Sequence, residues 1–193
     1  MAKGLLIVIS GPSGVGKGTV IKNFINDPEL KLAFSVSMTT REKRAGEEEG
    51  VNYYYVSKEE FQRARENGEL LESAEFVGNY YGTPVREVER IRNEGKNVLL
   101  EIEVQGCRQV REKVPDAITI FIIPPSMEEL EKRIRGRNTE PEEIVQERLA
   151  KAARELEMTH QYKYVICNDD AELAADIIRL IIKRQMELAN KES

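Results

Sequence analysis

The sequence predicts an α/β fold: a doubly wound parallel sheet carrying a phosphate-binding loop (a P-loop core), with a small mixed α/β insertion and a short lid. Three observations predict it. Apolar runs without strict alternation recur at residues 5–9, 98–100, 118–123 and 165–167, the pattern of strands buried on both faces of a parallel sheet. Helical patterns lie between them, and strands alternating with helices at this spacing imply βαβ units. Directly behind the first run stands Gly-Pro-Ser-Gly-Val-Gly-Lys-Gly, residues 11–18, giving the strand, turn and helix order that a phosphate cradle requires.

Each element follows in chain order. In the turn, glycines let the backbone curl so that successive N–H groups point at phosphate oxygens. Lys17 adds a positive charge, and the helix N-terminus adds its dipole. A strand is expected at 33–36. From there to about residue 90 the rhythm breaks: Tyr53-Tyr54-Tyr55-Val56 and residues 70–77 alternate, Gly78-Asn79 marks a turn, and Ser57 with Glu60 caps a short helix. Glu101 and Glu103 stand two apart where the strand at 98–100 ends, so they are expected on one face, at the usual ligand crevice. There they can steer Mg²⁺ through its waters. Ser126 with Glu129 is a capping-box signature for a helix to Arg135, and Pro124-Pro125 blocks an earlier start. The polar stretch 135–143 suits a lid. Val145, Leu149, Ala152 and Leu156 mark one helix face, and Leu173, Ile177, Leu180 and Ile181 mark the apolar face of the last helix.

Composition excludes several classes. With 193 residues the chain has the length of one domain with inserted subdomains, and a net charge of −5 argues against a general binder of nucleic acid or anionic membranes. No run approaches the ~20 apolar residues of a membrane helix. Met1-Ala2-Lys3 leads straight into a strand, as expected of a cytoplasmic chain without a leader. Cys107 and Cys167 lack metal-type spacing and are expected as buried, unpaired thiols. His160 is the only histidine, with a surface or packing role expected for it, and with no second histidine or cysteine cluster no zinc site can be assembled.

Chemistry concentrates in a few places. Arg41 and Arg44, in Ser37-Met38-Thr39-Thr40-Arg41-Glu42-Lys43-Arg44, can clamp a phosphate through planar paired donors. A solvated charged loop is the plainer alternative. Arg133, Arg135, Arg137 and Arg148 flank the lid and can converge on phosphates when it closes.

In order and spacing these motifs resemble those of bacterial guanylate kinases over about residues 5–170. The resemblance rests on the loop from Gly11 to Lys17, Ser37-x-Thr-Thr-Arg41-x-x-Arg44, Tyr53, Glu72, Gly78-Asn79-Tyr80-Tyr81-Gly82-Thr83, Glu101-x-Glu103-x-Gln105-Gly106, Arg133-x-x-x-Arg137 and Asn168-Asp169. It implies one domain over residues 1–193, with a core at 1–33 and 91–193, a GMP-binding insertion at about 34–90 and a lid at about 135–143. The implied reaction is in-line transfer of the ATP γ-phosphoryl to GMP, giving GDP and ADP in purine nucleotide metabolism. The acceptor phosphate is already ionised, so positioning and charge stabilisation suffice.

By the same resemblance Gly11, Pro12, Ser13, Gly14, Val15, Gly16, Lys17, Gly18 and Thr19 bind ATP phosphates, and Asn168 and Asp169 lie near the adenine. Ser37, Arg41, Arg44, Tyr53, Glu72, Tyr81, Thr83, Glu101 and Glu103 serve GMP. Lys17, Arg41, Arg133, Arg137 and Arg148 carry catalysis, with Mg²⁺ held at Glu101 and Glu103 mostly through water. ATP and GMP are the implied small-molecule substrates, dGMP is a further possible acceptor, and both monomer and homodimer remain open. Gly18 departs from the frequent Ser or Thr, and Asn138 from a common Gly. A kinase for another nucleoside monophosphate, a plain P-loop ATPase and an inactive phosphoprotein-binding module are the competing readings.

Overall fold

A computed structural model describes residues 3–76, 78–136 and 141–192. The chain opens with β1 (Leu6–Ser10), α1 (Lys17–Lys22) and β2 (Leu32–Phe34). It then leaves the first sheet for β3 (Ser37–Thr39), β4 (Tyr53–Tyr55), α2 (Lys58–Glu66), β5 (Leu70–Phe76) and β6 (Asn79–Pro84). It returns through α3 (Val85–Asn93), β7 (Asn97–Glu101), α4 (Val104–Lys113) and β8 (Ile118–Ile123). The remainder is α5 (Met127–Arg135), α6 (Glu142–Leu156), β9 (Tyr164–Cys167) and α7 (Ala171–Glu192).

The five-stranded sheet has the order β2-β7-β1-β8-β9. All its pairings are parallel, with β1 central and Leu6 opposite Val98. Strand alternation sorts the core into two layers. Ile7 and Ile9 pack toward Val20, Ile21, Ile178 and Ile182, whereas Leu6 and Val8 pack toward Val88, Ile91, Cys107 and Val110. Full burial of a side chain such as Ile9 contributes about 1.5–3 kcal/mol, so the strand is fixed from both faces. The expected doubly wound α/β core is present.

The second sheet, of order β4-β3-β6-β5, is mixed: β3 and β4 run parallel, and β6 is antiparallel to β3 and β5. It has its own small core of Phe61, Ala64 and Leu70. At the start of α2, Ser57 accepts from the Glu60 N–H while the Glu60 carboxylate accepts from the Ser57 N–H, a complete capping box.

Four local expectations need correction. The strand expected at 33–36 is β2, which starts at Leu32 and stops at Phe34, because the chain leaves the first sheet at Ser35-Val36 and enters the second as β3 at Ser37. At α5 only half of the capping box forms: Ser126 accepts from the Glu129 N–H, but the Glu129 carboxylate turns to Arg133. The buried face of α7 is Ala174, Ala175, Ile178 and Ile182, while Leu173 and Leu180 are 62% and 68% exposed. Small alanines let the helix lie close to the sheet, and the larger residues fall to the outside. Finally, β9 is an edge strand, so Cys167 is exposed; only Cys107 is a buried thiol, and both are unpaired. Among the described residues no helix is long and apolar enough to cross a membrane.

Candidate active site

β1 ends at Ser10 and the chain turns through the glycine-rich segment into α1. Gly16, at φ +93°, is the N-cap of that helix. A Cβ there would lie 2.7 Å from Asn168 Nδ2, so both the backbone conformation and the space require glycine. Asn168, buried at the end of β9, donates its amide N–H to Val15 O at 2.8 Å and thereby braces the loop. Asp169 beside it is exposed.

Lys17 Nζ donates to Gly11 O at 2.6 Å and to Pro12 O at 3.2 Å, so its ammonium crosses the mouth of the turn. Burial pushes the Lys17 pKa down, against the opposing pull of Glu101, Glu155 and Glu103. Those carboxylates come from three elements: Glu101 ends β7, Glu103 is the N-cap of α4 and Glu155 lies on α6. Gly18 and Thr19 are exposed, and a Cβ at Gly18 would meet nothing within 4 Å.

Across the crevice a cavity of ≈ 270 Å³ is lined by Ser37, Tyr53, Glu72, Tyr81, Glu101 and Glu103, among others. Its most informative residue is Glu72, 6% exposed on β5. Thr83 on β6 donates its hydroxyl to Glu72 Oε1 at 2.6 Å. Burial raises the Glu72 pKa, which the Thr83 hydrogen bond partly offsets. Gly106 on α4 makes room for this carboxylate, since a Cβ would lie 2.7 Å from Glu72 Oε2. Thr83, itself 1% exposed, supports the carboxylate from beneath and does not line the cavity.

Tyr53 and Tyr81 meet edge to face with ring centroids 6.1 Å apart. Behind Tyr53 the Arg41 guanidinium lies 5.4 Å from the ring centre. Arg44 is exposed on the loop, and its guanidinium makes no ion pair among the described residues.

Glu101 and Glu103 do reach one cavity, but not as neighbours on one strand. β7 ends at Glu101, and Glu103 is the N-cap of α4. Glu103 Oε2 is 2.9 Å from Lys151 Nζ, where a larger groove of ≈ 510 Å³ opens between α4 and α6. No group of three or more His, Cys, Asp or Glu suited to a metal occurs among the described residues. Two exposed carboxylates cannot cage an ion, but they fit Mg²⁺, which keeps most of its water and takes phosphate oxygens.

On the lid side, Arg133 donates to Asn168 O at 3.0 Å and pairs with Glu129 at 3.1 Å. Arg148 on α6 reaches Ser13 Oγ in the loop at 2.7 Å. Arg137 lies outside the described residues, as do residues 138–140 of the expected lid. Sequence reasoning did not single out Glu47, Lys151 or the buried Glu155. Glu155 stands three residues after Ala152, on the face that faces the core, and that spacing was the available signal.

Comparison with known proteins agrees with this geometry. Residues 3–185 match the guanylate kinase family model. The chain is 53% identical over 180 residues to a guanylate kinase of Enterococcus faecalis, covering 93% of this chain and 88% of that protein. The crystal structure of guanylate kinase from Anaplasma phagocytophilum superposes with a TM-score of 0.69 at 38% identity, over 95% of this chain and 87% of that one. The SH3-kinase fragment of tight junction protein 3 has a TM-score of 0.50 at 11% identity, covering 95% of this chain and 57% of that one, a likeness of fold alone. By the family match and the shared sequence, this chain belongs to the guanylate kinase family.

Proposed function

We infer that the chain is an ATP:GMP phosphotransferase that moves the γ-phosphoryl of ATP to the phosphate of GMP, with Mg²⁺ as its metal and the cytoplasm as its setting. Family membership supports this reading. The observation that carries it to the site is the buried Glu72 carboxylate lining a cavity whose wall also includes Glu101 and Glu103, the carboxylates whose charge acts on Lys17 of the phosphate loop.

Guanine offers N1–H and N2–H₂ as adjacent donors, whereas adenine presents an acceptor at N1 and no amino group at C2. A fixed carboxylate suits the first and is left unpaired by the second. Ser37 on the cavity wall adds a hydroxyl, and Thr83 holds the carboxylate in place. The GMP phosphate lies toward Arg41, Arg44, Tyr53 and Tyr81.

On the donor side, the amides of Gly11, Pro12, Ser13, Gly14, Val15, Gly16, Lys17, Gly18 and Thr19 cradle the ATP phosphates. Asp169 lies near the adenine, and Asn168 acts by bracing the loop. Lys17 leaves its loop carbonyls to meet the transferring phosphoryl, where its charge is worth most as negative charge shifts toward the leaving oxygen. Arg133, Arg137 and Arg148 close on the same group from the lid side. The acceptor phosphate needs no base, so positioning and charge account for the catalysis. When bound, Mg²⁺ supplies neutralisation of phosphate charge, and Glu101 and Glu103 would hold it through its waters.

A coupled assay of ADP release with GMP, AMP, UMP, dTMP or no acceptor tests this. Rapid release with GMP alone is the expected result. Comparable ATP consumption without an acceptor would overturn the reading.

A further inference from the structure

We infer that Glu47 is the positioning residue of the acceptor clamp, fixing Arg41, Arg44 and Tyr55 in place before any ligand arrives. This rests on the acceptor reading above.

The loop between β3 and β4 has little regular structure, and residues 42–46 are exposed. Within it Glu47 is only 19% exposed at its side chain, and both carboxylate oxygens are occupied. Oε1 accepts from Arg41 Nη2 at 2.7 Å. Oε2 accepts from the Arg44 N–H at 2.8 Å and from the Tyr55 hydroxyl at 2.8 Å. One carboxylate thus ties together the chain just past β3, the middle of the loop and the last residue of β4.

Arg41 is held from its other sides as well. Its Nη1 donates to Glu42 O at 2.8 Å, and its guanidinium faces the Tyr53 and Tyr55 rings at 5.4 and 5.9 Å. The side chain that would otherwise lose most rotamer freedom on meeting a phosphate is therefore already ordered, which lowers the entropic cost of binding. Arg44 is treated differently: Glu47 fixes its backbone, while among the described residues its guanidinium makes no ion pair.

A carboxylate gathering a guanidinium, an amide and a phenol also resembles a phosphate in its contacts, so the opposite role is a resident competitor that ligand must expel. The turn decides against it. The Glu47 N–H donates to Arg44 O at 3.1 Å while its carboxylate takes the Arg44 N–H, so the two residues exchange hydrogen bonds and Glu47 is part of the loop's own closure. Expelling it would undo the turn that carries Arg44. Its donors, Arg41 foremost, hold the carboxyl pKa down to about 2, so it is ionised wherever the protein works.

The test is calorimetric titration of wild type and Glu47→Gln with GMP and with guanosine, which lacks the phosphate, beside steady-state kinetics. Glu47→Gln should weaken GMP binding and raise its KM roughly tenfold, since a charged pair and its geometry are lost. Guanosine affinity, the KM for ATP and kcat at saturating GMP should stay within about twofold, because the base site and the loop around Lys17 are separate structures. Tyr55→Phe, removing one of three donors, should shift GMP in the same direction by about threefold. Tighter GMP binding in Glu47→Gln would identify a competitor and overturn the inference. Equal weakening of GMP and guanosine would also overturn it, by marking Glu47 as general support for the insertion. A wild-type chain that binds guanosine but gains nothing from the phosphate would instead overturn the acceptor reading on which the clamp stands.

Discussion

In the proposed reading, the ligand-facing groups on the donor side of the crevice are backbone amides of one turn, residues 11–18, with Lys17 as their chief side chain. On the acceptor side they are side chains from β3, β4, β5 and β6, held in place by one another. Thr83 fixes Glu72, Gly106 makes room for it, and Glu47 fixes Arg41. A backbone cradle needs only glycines and a strand to aim it, and it grips any nucleotide triphosphate. A side-chain pocket can carry base specificity, but only if a second layer of residues removes its freedom. The two halves should therefore respond differently to mutation. Donor-side changes should alter turnover for every acceptor, and acceptor-side changes should alter which acceptor is used.

The largest effect expected on the donor side is that of Lys17→Ala. It should lower kcat by roughly 10²–10³ with GMP, because it removes a charge whose contacts strengthen as the phosphoryl moves. Preference among acceptors should persist in whatever activity remains. Steady-state rates with GMP and AMP check this, and a change in preference at unchanged kcat would break the division between the halves.

This division also explains what was legible in the sequence. The phosphate loop is contiguous, so its strand, glycines and lysine can be read together at residues 5–17. The Ser57–Glu60 capping box is equally local, and it forms in full. Glu47 and Gly106 were opaque for the opposite reason. Each matters through residues brought close by the tertiary fold, as Gly106 does where α4 passes Glu72. Asn168 shows a related limit: its place after the last strand was readable, but the amide's engagement with Val15 depends on how β9 lies beside β8. The α7 face was misread because apolar residues surround much of that helix. Counting the large ones favours Leu173 and Leu180, whereas the sheet accepts Ala174 and Ala175, which permit closer packing.

Thr19→Val should have the smallest effect. Thr19 is one position beyond Gly18, about 100° around the helix from it, so its hydroxyl is expected near the α-phosphate and away from the metal. The KM for ATP should rise about threefold, as for one lost hydrogen bond, while the Mg²⁺ concentration for half-maximal rate changes less. Titrating Mg²⁺ at fixed ATP, in wild type and variant, separates the two. A larger shift in metal requirement than in ATP affinity would place Thr19 on the metal.

The central claim is that the buried Glu72 carboxyl confers acceptor specificity, and that its ionised form comes at a cost to the fold. The sign follows from its raised pKa. A carboxyl that holds its proton more tightly when folded lowers stability as pH rises from the ordinary glutamate value through the raised one, and above both the cost is fully present. Replacing it with a neutral isostere removes that cost while leaving Thr83 an oxygen to bond. The decisive measurement is therefore the ratio of kcat/KM for GMP over AMP in wild type and Glu72→Gln, taken with the thermal midpoint of each at neutral pH. The wild-type ratio should be on the order of 10⁴, as for other sites built on polar matching. In the variant it should fall at least about tenfold, the equivalent of one charged hydrogen bond, with a midpoint equal to or above that of wild type. An unchanged ratio with a lower midpoint would contradict the account, making Glu72 a structural residue of the insertion.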